Sequence, residues 1–184
     1  DAWSSNSRYI ASEVTVGGAS RIMVFDTATG DGRLITPDGV LAHCPLWSPD
    51  GRSVAFALET ASRARELAVI GVDGSGMRIV SGDLDGFQVQ KPDTWSPDGA
   101  WIYFAAVRSD AGQTAGRVYR THVDSGVSVQ LSSDAVLAGA PASSPDGRLL
   151  AYTVAGASGS FDLYVANSDG SRPRLLLSHA VNDG

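Results

Sequence analysis

The 184-residue sequence predicts an all-β fold, a β-propeller of four-stranded antiparallel blades, and three observations carry that prediction. One motif recurs four times at a nearly constant interval. The apolar runs are a few residues long and show no sustained helical period. Between them stand Gly, Pro, Asp and Ser, the residues of tight turns.

The recurring segments are Trp3-Ser4-Ser5-Asn6-Ser7-Arg8-Tyr9-Ile10-Ala11, Trp47-Ser48-Pro49-Asp50-Gly51-Arg52-Ser53-Val54-Ala55-Phe56, Trp95-Ser96-Pro97-Asp98-Gly99-Ala100-Trp101-Ile102-Tyr103-Phe104 and Ser143-Ser144-Pro145-Asp146-Gly147-Arg148-Leu149-Leu150-Ala151-Tyr152, spaced by 44, 48 and 48 residues. Pro-Asp-Gly reverses the chain: proline presets φ, Asp tolerates a turn conformation, and Gly supplies a positive φ. A second apolar run follows each motif: Arg21 to Asp26, Glu66 to Val72, Arg117 to Val123 and Asp162 to Ala166. Then comes another turn, at Thr29-Gly30, Asp73-Gly74, Ser125-Gly126 and Asp169-Gly170, suited to a hairpin. A third run closes the repeat in Ser or Thr, at Leu34-Ile35-Thr36, Ile79-Val80-Ser81, Val129-Gln130-Leu131-Ser132 and Leu175-Leu176-Leu177-Ser178. Each repeat is therefore expected to be a four-stranded meander. So small a sheet cannot bury both faces alone, and neighbouring sheets are expected to stack around one axis. The repeats run over approximately 1–36, 37–81, 82–132 and 133–184, within one domain spanning 1–184.

Composition narrows the function. Fourteen Lys and Arg against twenty Asp and Glu give a net charge of −6, which argues against a nucleic-acid partner, because such surfaces cluster cations against phosphate. The same charge suits an anionic membrane poorly, and no apolar run approaches the ~18 residues of a spanning helix, so direct membrane insertion is not expected. The single cysteine, Cys44, excludes an intrachain disulfide and a Cys-rich zinc site, and its apolar context (Val40-Leu41-Ala42-His43-Cys44) predicts a small buried hydrophobe. Neither an initiating Met nor a signal-like segment precedes Asp1, and the expectation is a processed or excised piece of a longer precursor.

The run Trp-Ser-Pro-Asp-Gly-Arg-x-Val-Ala-Phe, with an apolar strand about twenty residues on, then Asp-Gly and a closing Leu-Ser or Leu-Thr, resembles the TolB-type propeller repeat, also described as WD40-like PD40 repeats. The resemblance covers nearly the whole chain and is clear in repeats two to four. In the first, Ser5-Asn6-Ser7 replaces Pro-Asp-Gly. It implies a propeller fold and, by analogy with the periplasmic TolB propeller that binds an outer-membrane lipoprotein and with bacterial sensor domains, an extracytoplasmic or periplasmic recognition role. The same repeat also builds the gating propellers of prolyl-oligopeptidase-like enzymes. TolB-like propellers commonly have six blades, whereas four repeats are present here.

Pro45, Pro92 and Pro141 precede the motif in repeats two to four and mark an innermost strand, whereas only Asp1 and Ala2 precede Trp3. The tail His179-Ala180-Val181-Asn182-Asp183-Gly184 is expected to supply the missing strand, closing a four-bladed ring. Half of an eight-bladed homodimer, or a fragment of a larger propeller, are the alternatives.

No residue set predicts catalysis. Asp50, Asp98 and Asp146 recur at one turn position and belong to hairpin geometry. Asp83-Leu84-Asp85-Gly86 opens like a calcium loop but lacks the downstream Glu. His43, His122 and His179 have no metal-ligand spacing, Gly-x-Ser-x-Gly is absent, and Asp73-Gly74-Ser75-Gly76 is a turn rather than a phosphate loop. No catalytic residue, metal or cofactor is predicted. Trp3, Trp47 and Trp95 share one position and are expected to pack between blades.

Surface remains. Loops joining the outermost strand to the next innermost one (Asp38 to Leu41, Asp83 to Lys91, Ser133 to Ala138) and the second strand to the third (Val16 to Ser20, Thr60 to Arg65, Ser109 to Gly116, Gly156 to Ser160) are expected to gather on one face, a rigid scaffold for variable loops. Phe87, Gln88, Gln90 and Lys91, with Arg63, Arg65 and His43, are the expected contacts for a protein or peptide partner. The expected function is non-enzymatic binding or sensing of a protein, peptide or small ligand. The alternative is the substrate-gating propeller of a prolyl-oligopeptidase-like hydrolase whose catalytic domain lies elsewhere.

Overall fold

The computed structural model describes residues 1–110, 113–133, 137–156 and 160–178. They form sixteen strands in four sheets, each a meander in chain order. The first sheet holds β1 (Ala2–Trp3), β2 (Tyr9–Val16), β3 (Ala19–Asp26) and β4 (Gly32–Leu34), and the second β5 (Leu41–Trp47), β6 (Ser53–Glu59), β7 (Arg65–Gly71) and β8 (Arg78–Ile79). The third holds β9 (Gln88–Trp95), β10 (Trp101–Asp110), β11 (Gln113–His122) and β12 (Ser128–Gln130), and the fourth β13 (Ala138–Ser143), β14 (Leu149–Ala155), β15 (Phe161–Asn167) and β16 (Arg174–Leu177). All pairings are antiparallel, as the four predicted meanders require. The chain is an all-β propeller of four blades.

The motif turns work by one device. The Ser48 hydroxyl donates to Asp50 Oδ1 (2.6 Å) and accepts the Ser53 N–H (3.0 Å), while Asp50 Oδ1 also accepts the Arg52 N–H (3.1 Å). Ser96 with Asp98 and Ser144 with Asp146 repeat it. In the first blade Ser4 donates to Asn6 Oδ1 (2.8 Å), which accepts the Arg8 N–H (3.1 Å), so an amide oxygen takes the carboxylate's place.

Packing between consecutive blades makes three cores. Ala11, Ile22 and Val24 of the first blade meet Val54, Phe56, Ala68 and Ile70 of the second. Ala55, Leu67 and Val69 of the second meet Ile102, Phe104 and Tyr119 of the third. Tyr103 and Val118 of the third meet Leu150, Tyr152 and Ala166 of the fourth. Trp47 stacks on Tyr9 (6.3 Å between centroids), and Trp95 Nε1 donates to the Leu46 carbonyl (3.4 Å), so both tryptophans pack against the preceding blade as expected. Among the described residues no neighbouring blade covers Trp3, which stands 60% exposed, against the expectation drawn from its repeat position.

The inner edge of the first blade is formed at the start of the chain. The first blade takes its innermost strand from its own Ala2–Trp3, paired with Ile10 and Ala11. The segment 179–184, expected to fill that place, lies outside the described residues. Among the described residues the blades pack in succession, and the fourth is not packed on the first as the others are on their neighbours.

Candidate functional site

One end of the blades carries the motif turns, tied to the second turns by backbone bonds such as Val72 N–H to Arg52 O (3.0 Å) and Ser168 N–H to Arg148 O (2.9 Å). The other end gathers the second-to-third hairpins and the connections between blades. Arg21 reaches Asp38 (2.6 Å), and Arg108 Nη1 donates to Asp85 O (3.0 Å). Such loop-bearing ends of rigid scaffolds are where binding residues concentrate.

The innermost strands of blades two to four are each irregular, β5 and β13 at one place and β9 at two. In β5 the register shifts between His43 and Leu46, with Cys44 at φ +53°, and β13 shifts between Gly139 and Ala142, with Ala140 at φ +49°. A positive φ at a non-glycine residue is strained and re-aims its neighbours. In β5 the neighbour is His43. Its Nδ1 lies 2.9 Å from Glu13 Oε1, and because a carboxylate only accepts, Nδ1 carries the proton. Nε2 faces Glu59 Oε2 at 3.5 Å, and Arg65 stands 4.0 Å beyond on the same oxygen. Glu13 further accepts the Ser20 hydroxyl (2.5 Å) and the Cys44 N–H (3.1 Å). Burial acts to raise the Glu13 carboxyl, but the Ser20, His43 and Cys44 donors outweigh it and hold it below its ordinary value. Cys44 is half-buried and anchors this cluster through its backbone, rather than filling the core as a small hydrophobe.

Lys91 sits on β9 at the position equivalent to His43, four residues before the recurring Trp. Its Nζ lies 3.3 Å from Asp93 Oδ1, and Asp93 Oδ2 accepts the Ala105 N–H at 3.0 Å. Burial pushes the Asp93 carboxyl up, against the lowering pull of the Ala105 amide and Lys91. Gln88 and Gln90 flank Lys91, and all three are exposed.

Phe87 is placed differently from the exposed contact expected. Its ring is 5% exposed, against Tyr119 (6.3 Å), with the guanidinium groups of Arg108 (4.7 Å) and Arg117 (4.3 Å) over it. It supports the loop from below. Arg63 is exposed in the turn between β6 and β7, at φ +62°. The calcium-like loop is braced internally, since Asp83 Oδ1 accepts the Asp85 N–H (3.0 Å) and Asp85 O accepts Arg108. His122 stacks edge-on against Trp101 (4.9 Å), and His179 lies outside the described residues. Among the described residues no three His, Cys, Asp or Glu side chains converge as metal ligands. Composition pointed to Lys91 and His43. Glu59, sixteen positions from His43, was missed because it comes beside it through β5–β6 pairing, and Glu13, thirty positions away, because it does so through packing of the first blade on the second.

The arrangement is a patch of alternating charge and amides across three blades. It holds hydrogen-bond donors and acceptors.

Comparison with known proteins agrees with the fold. The TolB beta propeller domain matches residues 1–184. The chain is 28% identical over 166 residues to the uncharacterized peptidase YuxL of Bacillus subtilis (strain 168), covering 73% of this chain and 25% of that protein. Among solved structures, TolB from Acinetobacter baumannii superposes with a TM-score of 0.70 at 19% identity, over 95% of this chain and 42% of that one. An oligogalacturonate lyase from Vibrio parahaemolyticus gives 0.76 at 14% identity, over 97% of this chain and 51% of that one. The chain thus spans a quarter of that curated relative and about half or less of these structures.

Proposed function

Because the chain belongs to the TolB beta propeller domain family, we propose that it is a non-enzymatic recognition module that binds a protein or peptide through the loop-bearing end of its blades. The observation that carries this reading is the patch formed by His43, with Glu13, Glu59 and Arg65, and by Gln88, Gln90 and Lys91 at the equivalent place one blade on. Exposed amides and paired charges on a rigid sheet frame suit the backbone and polar side chains of a peptide segment. The family resemblance supports an extracytoplasmic, periplasmic setting for this binding.

Quantitative capture from cell extract tests it. The triple variant His43→Ala, Gln90→Ala, Lys91→Ala is expected to lose at least one protein retained by the wild type, by tenfold or more, about 1.4 kcal/mol. Arg52→Ala with Arg148→Ala, at the opposite end, is expected to retain it. Equal profiles for all three proteins overturn the reading.

The second reading, a substrate-gating propeller of a hydrolase, is favoured by the peptidase name of the Bacillus relative, of which this chain covers a quarter. In that case the same patch meets substrate rather than a stable partner.

A further inference from the structure

The two seams that flank the third blade are built from corresponding residues, and one is filled where the other is open. In the third blade Phe104 pairs with Tyr119 and their rings stack, 5.8 Å between centroids and 15° between planes. In the fourth blade Tyr152 pairs with Tyr164 in the same geometry, 5.8 Å and 15°. The strand register sets matching neighbours beside each ring pair: Val89 pairs with Ala106, and Ala138 with Val154. The preceding blade adds Val80 to one seam and Leu131 to the other, each with its N–H bonded back to its own third strand, at Leu67 O and Val118 O.

What differs is the connection between blades. Eight residues separate Val80 from Val89, and two of them, Leu84 and Phe87, turn into the seam and are buried. Phe87 lies tilted on Tyr119, 6.3 Å between centroids, and fills the space beside the ring pair. Six residues separate Leu131 from Ala138, and none of them is aromatic. Here a cavity of about 300 Å³ remains, its walls including Leu131, Ser132, Ala138, Tyr152, Val154 and Tyr164. A cavity of ~150 Å³ with apolar walls is enough to hold benzene.

The cavity also carries an unanswered donor. Tyr152 is 4% exposed, and its hydroxyl makes no hydrogen bond among the described residues. Burial, with Tyr164 close by, pushes its pKa above the ordinary tyrosine value, so the hydroxyl stays protonated. Tyr103, in the same seam, shows the satisfied arrangement, donating to the Ser168 carbonyl at 3.2 Å. A buried hydroxyl without an acceptor carries a desolvation cost that an incoming carbonyl relieves.

We propose that this cavity receives an aromatic side chain of a peptide partner, seated on Tyr164 as Phe87 is seated on Tyr119, with the Tyr152 hydroxyl donating to a carbonyl of the peptide backbone. The occupant follows from the neighbouring seam, where the corresponding ring pair is covered by a phenylalanine of the chain itself. Aromatic rings favour such tilted contacts, which selects a ring over an aliphatic side chain of similar size. Ser133 and Ala138, at the cavity wall, flank the connection between the third and fourth blades, so the inference rests on the reading that the loop-bearing end meets a peptide.

Nuclear magnetic resonance titration of the full chain with N-acetylphenylalaninamide tests it. Ring-current shifts are expected at Tyr152, Val154 and Tyr164, and N-acetylleucinamide is expected to bind about threefold more weakly or worse. Val154→Phe, which fills the cavity from its wall, is expected to weaken binding by about tenfold or more, and Tyr152→Phe, which keeps the ring and removes one oxygen, by about fivefold. Dichroism checks folding, and Tyr152→Phe decides alone if Val154→Phe does not fold. Wild type without shifts at the cavity overturns the proposal, as do equal binding of the leucine probe and a folded variant that binds like wild type. The patch variant His43→Ala, Gln90→Ala, Lys91→Ala is expected to bind the probe normally, so the two readings fail in separate measurements; loss of probe binding there would place the probe at the patch and overturn the cavity.

Discussion

The seam between the second and third blades and the faces of the first and fourth blades left uncovered among the described residues use the same sequence positions and give them opposite surroundings. Trp95 is 8% exposed and bonded to the Leu46 carbonyl, whereas Trp3, at the same repeat position, is 60% exposed. Val80 is buried and Leu177 is not. Burial in this molecule is a property of having a neighbouring sheet, and residue type only permits it. A repeat fold of this kind distributes its stability over nearest-neighbour interfaces.

The sharpest way to break the comparison is to truncate the shared tryptophan. Trp95→Ala is expected to cost about 3–5 kcal/mol, the usual range for emptying a buried aromatic site. Trp3→Ala is expected to stay within about 0.5 kcal/mol, as at other exposed positions. Urea unfolding midpoints provide the check. Equal costs would mean that Trp3 is covered in solution.

A finer version uses the turn glycines. Gly170 and Gly30 both hold positive φ, at +83° and +80°, so alanine is strained at either, by about 1–2 kcal/mol. Only at Gly170 does the new methyl also press on Leu131, with contacts at 3.1 Å to its backbone and side chain. Gly170→Ala is therefore expected to cost roughly 1–3 kcal/mol more than Gly30→Ala. A similar loss at both sites would show that backbone strain alone governs these turns.

These contrasts also explain what could be seen in the sequence. The Trp-Ser-Pro-Asp-Gly spacing and the short apolar runs made the four meanders legible, because turn chemistry and strand period are local. The ends were not legible. Trp3 carries the same letter as Trp47, and Gly30 as Gly74, so nothing local distinguishes a residue with a neighbouring blade from one without. The binding patch was half legible for the same reason. Lys91, Gln88 and Gln90 stand out by composition, but Glu59 reaches His43 only through strand pairing and Glu13 only through packing of one blade on the next. Phe87 misled because an aromatic among amides looks exposed, while the ring tucks under Arg108 and Arg117.

The smallest expected effect compares the motif turns of blades one and three. Hydrogen bonds from the Ser96 hydroxyl and the Ala100 N–H hold the Asp98 carboxyl below its ordinary value. A carboxyl lowered in the folded state contributes stability above its unfolded pKa, about 3.9, and loses that contribution as pH falls through the lower folded value. The first blade builds the same turn on Asn6, which accepts from Ser4 and Arg8 without titrating. Asp98→Asn is thus expected to keep the turn, to cost less than about 1 kcal/mol at neutral pH because solvent screens the exposed carboxylate, and to flatten the decline in stability as pH falls below about 4. Asp98→Ala is expected to be the more destabilised at neutral pH, since it removes the acceptor itself. Thermal unfolding across that acid range separates the two, and an Asp98→Asn protein as acid-sensitive as wild type would remove this carboxyl from the account.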